Sequence, residues 1–320
     1  MSAAFLLKTL LHLPRTARLS VLVYHRVMTE HDPLRPGEPT VAQFEARMRW
    51  IAANFVVLPL TAAVRALAQD RLPKAALCIT FDDGYADNHD LALPVLRRLG
   101  LPATFFIATG YLDGGRMFND SIIEAVRQAS GPVLDLQPLQ FGRHSVATPK
   151  ERTQAIGRIL ERLKYLEPRR REEVTQQIVE RAGAVLPGKL MMTPQQVAAL
   201  HGAGMQIGAH TVTHPILAEI GLDAAREEII RGRTRLEEIT GAPVRLFAYP
   251  NGRPLRDYRR EHAALVRELG FDAAVSSAWG AARAGDDLYQ IPRFTPWDRP
   301  NWRFGLRLAK NLLGNRFACA

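Results

Sequence analysis

Three short segments of the 320-residue chain combine residue types that can do chemistry. Residues 80–84 are Thr-Phe-Asp-Asp-Gly, residues 210–214 are His-Thr-Val-Thr-His, and residues 249–252 are Tyr-Pro-Asn-Gly. Two neighbouring carboxylates raise one another's pKa, and a bound cation relieves their repulsion. Two histidines four residues apart can bind one ion from a helical or tightly turned backbone. One carboxylate with two imidazoles leaves positions open for water and substrate, which is typical of a catalytic metal centre.

Each segment taken alone has a simpler interpretation. Asp-Asp-Gly is a common turn sequence, a pair of histidines four apart is often only a polar helix face, and Tyr-Pro-Asn-Gly forms a turn in many proteins. Their coincidence is more informative, because each segment follows a predicted strand. In an α/β barrel the site is built where strands end and loops begin. The three segments together therefore predict a metal site at the carboxyl ends of parallel strands.

Eight short apolar runs predict the strands that position these segments. They are continuous rather than alternating, as in strands buried on both faces of a parallel sheet. Their bounds are Leu19–Tyr24, Phe55–Leu60, Ala76–Phe81, Ala103–Ala108, Gln206–Ala209, Leu246–Tyr249, Ala273–Ser276 and Tyr289–Pro292. Helical patterns lie between them, and capping boxes begin at Thr40, Thr148 and Thr193. This alternation predicts a right-handed α/β barrel or a doubly wound sheet.

Residues from about 113 to 192 interrupt the alternation of strands and helices. Their pattern is mostly helical, with an apolar face between Ile156 and Leu163 and a new helix beginning at Pro168. We expect a helical insertion between two barrel strands. Residues 1–320 would then form a single domain, which ends in a basic amphipathic segment at about 300–320.

The net charge of +10 would suit a polyanionic partner, but its distribution along the chain argues against one. Residues 1–26 have four basic and no acidic side chains, and residues 293–320 have six basic and one acidic, which leaves only +1 for the rest. A nucleic-acid enzyme concentrates basic residues around its cleft, so we expect no nucleic-acid partner. The basic ends are amphipathic. They either pack on the barrel, which we favour, or make peripheral contact with an anionic membrane.

Composition and the chain ends bear on the class of protein and its location. An apolar fraction of 47% excludes a disordered or low-complexity protein. Cys78 and Cys319 are too few for a disulfide framework or a cysteine-based metal site. Lys8 and His12 interrupt the first apolar stretch, and no small-residue cleavage site precedes Leu19. We therefore expect no secretory signal and a cytoplasmic location, with the inner membrane surface as a further option.

The three segments resemble the motifs of the polysaccharide deacetylase family, the carbohydrate esterases with a NodB-type domain. The likeness begins at residues 23–27, Val-Tyr-His-Arg-Val, and extends to about Arg293. It implies a distorted (β/α) barrel and the metal-dependent removal of acetyl groups from N-acetylated amino sugars. The substrate would be an acetylated glycan, either a polysaccharide or its lipid-linked precursor.

The resemblance also implies a role for individual residues. Asp83, His210 and His214 would bind the metal, for which we expect Zn²⁺, and Asp82 would be the general base. The ion would polarise the acetyl carbonyl and lower the pKa of its bound water, while the neighbouring carboxylate takes the proton. The turn that would hold the oxyanion through a backbone N–H consists of Tyr249, Pro250, Asn251 and Gly252.

Two positions depart from the family pattern. The third motif usually has an arginine where this chain has Ala248, and the last motif often has a histidine, the general acid, where this chain has Arg293. We predict that Arg293, at a late strand end, orients Asp82 in place of the missing arginine. We predict that His25, at the end of the first strand, is the general acid, since imidazole titrates near neutrality. The alternatives are a surface ion pair for Arg293 and a structural role for His25.

Two other functions are left open by the sequence. Two histidines and one aspartate also form the facial triad of non-haem iron oxygenases, although such an enzyme needs no second carboxylate beside it. The chain could also be a catalytically impaired pseudo-enzyme that only binds carbohydrate. The departures at Ala248 and Arg293 favour that interpretation, and the intact aspartate and histidine motifs oppose it.

Overall fold

A parallel β-sheet forms the centre of the protein in the computed structural model, which describes residues 17–298, 300–314 and 317–320. The strands are β1 (Leu19–Tyr24), β2 (Val56–Val57), β3 (Ala76–Phe81), β4 (Thr104–Ile107), β5 (Val133–Leu136), β6 (Gly142–Ser145), β7 (Gln206–Ala209), β8 (Leu246–Ala248) and β9 (Ala273–Val275). Seven of these form the central sheet in the order β1–β3–β4–β7–β8–β9, and β2 pairs with the beginning of β3. The predicted bounds of β1, β3 and β7 are confirmed, and the other predicted strands are shorter.

The two outer strands of the sheet are joined through the segment that follows β9. Ile291 forms a parallel bridge to β9, and Phe294 forms one to β1. These isolated bridges replace the regular strand predicted at Tyr289–Pro292. Pro292 has no N–H to donate, which prevents a continuous ladder at this point. The sheet therefore curves into the distorted (β/α) barrel that the resemblance implies.

Helices surround the barrel and follow the predicted alternation. They are α1 (Val41–Asn54), α2 (Leu60–Ala68), α3 (Leu93–Arg98), α4 (Phe118–Gln128), α5 (Pro149–Leu163), α6 (Pro168–Ala182), α7 (Pro194–Gly202), α8 (Leu222–Thr240), α9 (Arg260–Glu268) and α10 (Asn301–Leu313). The three predicted capping boxes, at the starts of α1, α5 and α7, are present, with each threonine hydroxyl accepting a hydrogen bond from the N–H three residues on. None of the described helices has the length and apolar character that crossing a bilayer requires.

The segment between β4 and β7 contains α4, α5 and α6, but it is not purely helical. Strands β5 and β6 pair as an antiparallel hairpin, which the sequence analysis did not predict. In β5 only Leu134 and Leu136 are buried. Four residues with this alternation are too few to stand out between two helical patterns. The segment has its own apolar core, formed by side chains such as Ile122, Val126, Leu134, Ile159 and Ile178.

The last helix, α10, packs its apolar face on the barrel. Phe304, Leu308 and Leu312 are buried and belong to the main core. The packing that we favoured for the basic carboxyl-terminal segment is thus confirmed for its described part. The opposite face leaves Trp302 and Leu306 half exposed. The corresponding prediction for the first sixteen residues lies outside the described part of the chain.

Candidate active site

The two aspartates and two histidines meet at the carboxyl ends of β3 and β7. Both strands pair with β4, which lies between them, so the loops that follow them are close in space. Asp83, Thr211 and His214 all have left-handed backbone conformations, with φ of 76°, 65° and 52°. Such conformations cost of order 1–3 kcal/mol each in non-glycine residues and occur preferentially at functional sites. The backbone is therefore bent sharply at the points where it presents these side chains.

Asp83, His210 and His214 form the group that could hold a metal ion. Their candidate ligand atoms lie within 4.8 Å of one another. Nε2 of each histidine is 3.5 Å from the same atom, Oδ1 of Asp83. All three side chains are largely buried, so few water molecules compete for these atoms. One oxygen and two nitrogen donors around a common point suit Zn²⁺.

The hydrogen bond of His210 and the pKa of His214 both suit metal-binding imidazoles. Nδ1 of His210 lies 2.7 Å from the carbonyl oxygen of Ala248, so it donates there and leaves Nε2 free to bind. Burial lowers the pKa of His214 to about 3, and the positive charge of Arg171 acts in the same direction against the attraction of Asp83. An imidazole with that pKa is unprotonated at neutral pH, as metal binding requires.

Asp82 is held by Arg293 in a bidentate ion pair. Both guanidinium Nη atoms lie 2.7 Å from the two carboxylate oxygens, and the residues are 95% or more buried. Nε of Arg293 donates to the carbonyl of Ser276 at 3.0 Å, which fixes the plane of the guanidinium. Burial raises the pKa of Asp82, but the charges of Arg293 and His210 and the hydrogen bonds from Arg293 outweigh it and lower the pKa below its usual value. The carboxylate is thus ionised and oriented.

His25 lies at the end of β1, as predicted. Its carbonyl accepts a hydrogen bond from Nδ2 of Asn88 at 2.8 Å, which fixes the local backbone. Burial lowers the pKa of His25, but the carboxylates of Asp83, Asp82 and Glu38 together raise it above its ordinary value. The charged imidazolium is therefore favoured in this position. The arrangement is compatible with a general acid, and the assignment stays a prediction.

The proposed oxyanion turn after β8 has one available donor. Pro250 lacks an N–H, and the N–H of Gly252 donates to the carbonyl of Pro250 at 2.6 Å. The Asn251 N–H makes no hydrogen bond to the described residues, and the side chain is exposed. Gly252 has φ of 72°, and a Cβ there would lie 2.9 Å from the Tyr249 carbonyl oxygen. The turn therefore requires glycine, and Asn251 carries the free donor.

Tyr249, the first residue of this turn, contributes its side chain to the barrel core. Its ring is fully buried and stacks on Tyr258, with ring centroids 3.9 Å apart. Its hydroxyl donates to the carbonyl of Tyr289 at 3.0 Å. The side chain is thus part of the barrel core and does not face a substrate, because it lies at the end of a strand whose alternate side chains point inward.

Two supporting contacts were missed by the sequence analysis. The carboxylate of Glu228 on α8 accepts hydrogen bonds from the N–H groups of Val212 and Thr213 at 2.9 and 2.8 Å. It thereby fixes the loop between the two histidines. Nothing in the sequence distinguishes Glu228 from the other acidic residues of its helix, since its partners are defined only by the fold.

The second missed contact connects the insertion to the barrel. Asp120 on α4 is fully buried and accepts hydrogen bonds from Nη2 of Arg35 at 2.6 Å and from the Tyr85 hydroxyl at 3.0 Å. Nearby, Arg26 pairs with Asp87 at 2.8 Å. Because Tyr85 is two residues beyond Asp83, this network fixes both the loop after β3 and the loop after β1.

Comparison with known proteins agrees with this arrangement. The model of the family described as polysaccharide deacetylase matches residues 69–274, which is well over half of the chain. The chain belongs to the polysaccharide deacetylase family. The matched region includes both aspartates, both histidines and the turn after β8. Arg293 and His25 lie outside it.

Individual relatives of the family match shorter parts of the chain. The Bacillus subtilis (strain 168) protein YxkH, whose name assigns it to the polysaccharide deacetylases, is 37% identical over 95 residues, which is 29% of this chain and 33% of its own length. The poly-β-1,6-N-acetyl-D-glucosamine N-deacetylase of Staphylococcus epidermidis is 27% identical over 116 residues, 32% of this chain and 40% of that protein. The matches thus cover at most two fifths of these relatives.

The fold is shared with a family member of known structure. The Streptococcus pyogenes deacetylase PplD, solved in complex with acetate, superposes with a TM-score of 0.58 at 18% sequence identity. The superposition covers 88% of this chain and 92% of PplD. At this identity the comparison confirms the barrel architecture.

Proposed function

We propose that this chain is a metal-dependent deacetylase that removes acetyl groups from N-acetylated amino sugars of a polysaccharide or a lipid-linked glycan precursor. The observation that carries the proposal is the ionised Asp82, held by Arg293 beside the Asp83, His210 and His214 donor set. A fixed carboxylate next to a metal site is the combination that hydrolysis of an acetamide requires. Family membership supports the same conclusion.

We propose that Asp83, His210 and His214 hold the metal and that the metal is Zn²⁺. The chemistry of the donor set and the free Nε2 atoms of both histidines support this assignment. When bound there, the ion would polarise the acetyl carbonyl and acidify a water molecule.

The proposed partner of the site is a glycan. The name of the Staphylococcus epidermidis relative makes poly-β-1,6-N-acetyl-D-glucosamine the first substrate to test.

The residues around the metal site would move the protons. Asp82 would accept a proton from the attacking water as the new C–O bond forms. The N–H of Asn251 would donate a hydrogen bond to the carbonyl oxygen as negative charge develops on it. His25 would give a proton to the sugar nitrogen as the C–N bond breaks, which releases acetate and the free amine. Arg293 would act as a positioning residue, because it contacts Asp82 and not the substrate in this scheme.

The contact between Arg293 and Asp82 also bears on the alternatives. The absence of an arginine at Ala248 was one of the two departures that favoured a pseudo-enzyme. Since Arg293 makes a bidentate pair with Asp82, the carboxylate does not lack an arginine partner. An oxygenase would have no use for this second, separately held carboxylate. Both alternatives are therefore weaker than hydrolysis.

The experiment that tests the function is acetate release from N-acetylated oligosaccharides, including β-1,6-linked N-acetylglucosamine oligomers. Activity should disappear on chelation and return with Zn²⁺. Asp82→Asn should abolish it while leaving bound zinc unchanged, and the exposed Asp90→Asn should serve as the matched control. Turnover that survives chelation would contradict the metal mechanism. Metal-dependent binding of the glycan without acetate release would support the pseudo-enzyme.

We also propose that the protein is cytoplasmic and contacts the inner membrane surface peripherally. The outer face of α10 supports the contact: Trp302, Leu306 and Leu313 are 58%, 51% and 46% exposed, next to the exposed Arg303 and Lys310. Apolar side chains flanked by basic ones suit an anionic lipid surface.

Vesicle flotation tests the membrane contact. Replacing Trp302, Leu306 and Leu313 with serine should abolish flotation with phosphatidylglycerol vesicles. Val185→Ser, at an 82% exposed position of the insertion, is the control. The contact would be excluded if the triple variant floats as much as the unchanged protein and the control do. It would also be excluded if the unchanged protein does not float.

A further inference from the structure

A groove of about 1340 Å³ runs between the insertion and the barrel, beside the candidate metal site. Helix α6 of the insertion forms one wall. The barrel side consists of Gly110 and Tyr111 after β4, the loop that contains Val212 and Thr213, and part of α8. Val212 and Thr213 lie between the two histidines of the metal site along the chain, so the groove reaches the loop that carries both ligands.

Arg171 is the one buried arginine among the described residues that line this groove. The residue is 95% buried, and its guanidinium lies 4.6 Å from the centre of the Phe118 ring. Among the described residues, no carboxylate oxygen lies within 4.0 Å of the Arg171 guanidinium nitrogens, which is the limit for an ion pair. The guanidinium also donates no hydrogen bond to these residues. Its unpartnered nitrogen atoms are not fully enclosed and reach the groove, where a ligand can supply acceptors.

The other charged groups of the groove are mostly engaged with each other or with the backbone. Glu228 accepts hydrogen bonds from the Val212 and Thr213 amides, and Glu227 lies 3.4 Å from Arg231. The lining contains six glutamates and four arginines. This balance disfavours an anionic ligand, so the acceptors that fit Arg171 are neutral oxygen atoms.

We infer that Arg171 donates hydrogen bonds to hydroxyl or acetamido oxygens of the sugar residues next to the one that is deacetylated. The inference rests on the proposed function and extends it. The groove would bind several consecutive sugars of an uncharged N-acetylated glycan, with Tyr111 and the Phe118 ring as apolar surfaces against the sugar faces. Arg171 would thus select oligomers over single amino sugars, and it would take no part in the chemical step.

The test compares substrates of different length. Arg171→Gln removes the charge, and Arg170→Gln is the matched control, because Arg170 is exposed on the same helix and does not line the groove. With β-1,6-linked N-acetylglucosamine oligomers, Arg171→Gln should lower kcat/KM for the hexamer by about 10–100-fold through KM. The disaccharide should change less than about 3-fold, since it does not reach the arginine. Equal losses for both lengths, or none for either, would overturn the inference.

A second pair of variants covers the case in which Arg171→Gln does not fold. Gln176 is exposed and lines the groove, whereas the exposed Gln177 does not. Gln176→Trp should obstruct the groove and weaken hexamer binding, and Gln177→Trp should not. Binding is measured by calorimetry on the Asp82→Asn background, so the result does not depend on turnover. If Gln176→Trp weakens hexamer binding and Gln177→Trp does not, the result supports glycan binding in the groove, even if no acetate is released. Equal hexamer affinity in the two tryptophan variants would refute it.

Discussion

Two buried arginines lie on different sides of the site and differ in what holds them. Arg293, at the barrel mouth, has a bidentate carboxylate partner in Asp82 and a carbonyl acceptor in Ser276. Arg171, in the insertion groove, has an aromatic ring beneath it and no ion-pair partner among the described residues. A buried ion pair fixes the geometry of its members, whereas an unpaired buried cation favours whatever brings acceptors to it. We therefore expect the barrel to supply the chemistry and the insertion to supply a binding surface.

The largest effect on activity is expected when Arg293 loses its carboxylate partner, Asp82. Asp82→Asn should lower kcat by about 10²–10⁴-fold, because the proposed general base is lost, and should leave Arg293 without a carboxylate partner, as Arg171 is. Its free energy of unfolding should fall by about 3–5 kcal/mol, the usual cost of breaking a buried pair. Steady-state kinetics and urea unfolding measure both. A variant that is fully active would remove Asp82 from the mechanism.

The second largest effect is expected on the pKa of the Asp82 carboxylate. Arg293 lowers the pKa of Asp82, so Arg293→Gln should raise it. A base must be ionised to act, and the acidic limb of the kcat/KM profile should therefore move to higher pH, with partial recovery in Arg293→Lys. The zinc content should not change. A profile with an unmoved acidic limb would mean that Arg293 has only a structural role.

A smaller effect is expected where the insertion is anchored to the barrel. Asp120→Asn should weaken the contacts to Arg35 and Tyr85 and lower the free energy of unfolding by about 1–3 kcal/mol, since buried donors lose a charged acceptor. Asp113→Asn, at an exposed position of the same insertion, is the control. Equal unfolding midpoints of the two variants would show that the network does not hold the two parts together.

The smallest effect on the free energy of unfolding is expected when a helix cap is removed. Such variants test whether the core of the insertion and the core of the barrel unfold separately. Thr148→Ala and Thr40→Ala each remove one capping box and should cost about 1 kcal/mol. Thr148 caps a helix of the insertion and Thr40 a helix of the barrel. Amide hydrogen exchange should lose protection in the insertion for the first and in the barrel for the second. Loss of protection across the whole chain in both variants would indicate one cooperative unit.

Much of the barrel and the site could be predicted from the sequence, because the signals are local. Continuous apolar runs identify buried parallel strands, and Asp82, Asp83, His210 and His214 stand in short motifs directly after two of them. The β5–β6 hairpin was missed because its alternation is too short, and the eighth strand was overestimated because Pro292 cannot complete a ladder.

The order of residues along the chain is enough to identify the groups that can do the chemistry and the strands that carry them. The partners that these groups meet from distant parts of the chain are known only from the fold. Arg293 and Asp82 are 211 positions apart, and the donors of the Glu228 and Asp120 contacts come from other elements as well. The burial of Arg171 without a carboxylate is likewise a property of the closed groove. Electrostatic partners depend on distance in space, and a linear pattern records only distance along the chain.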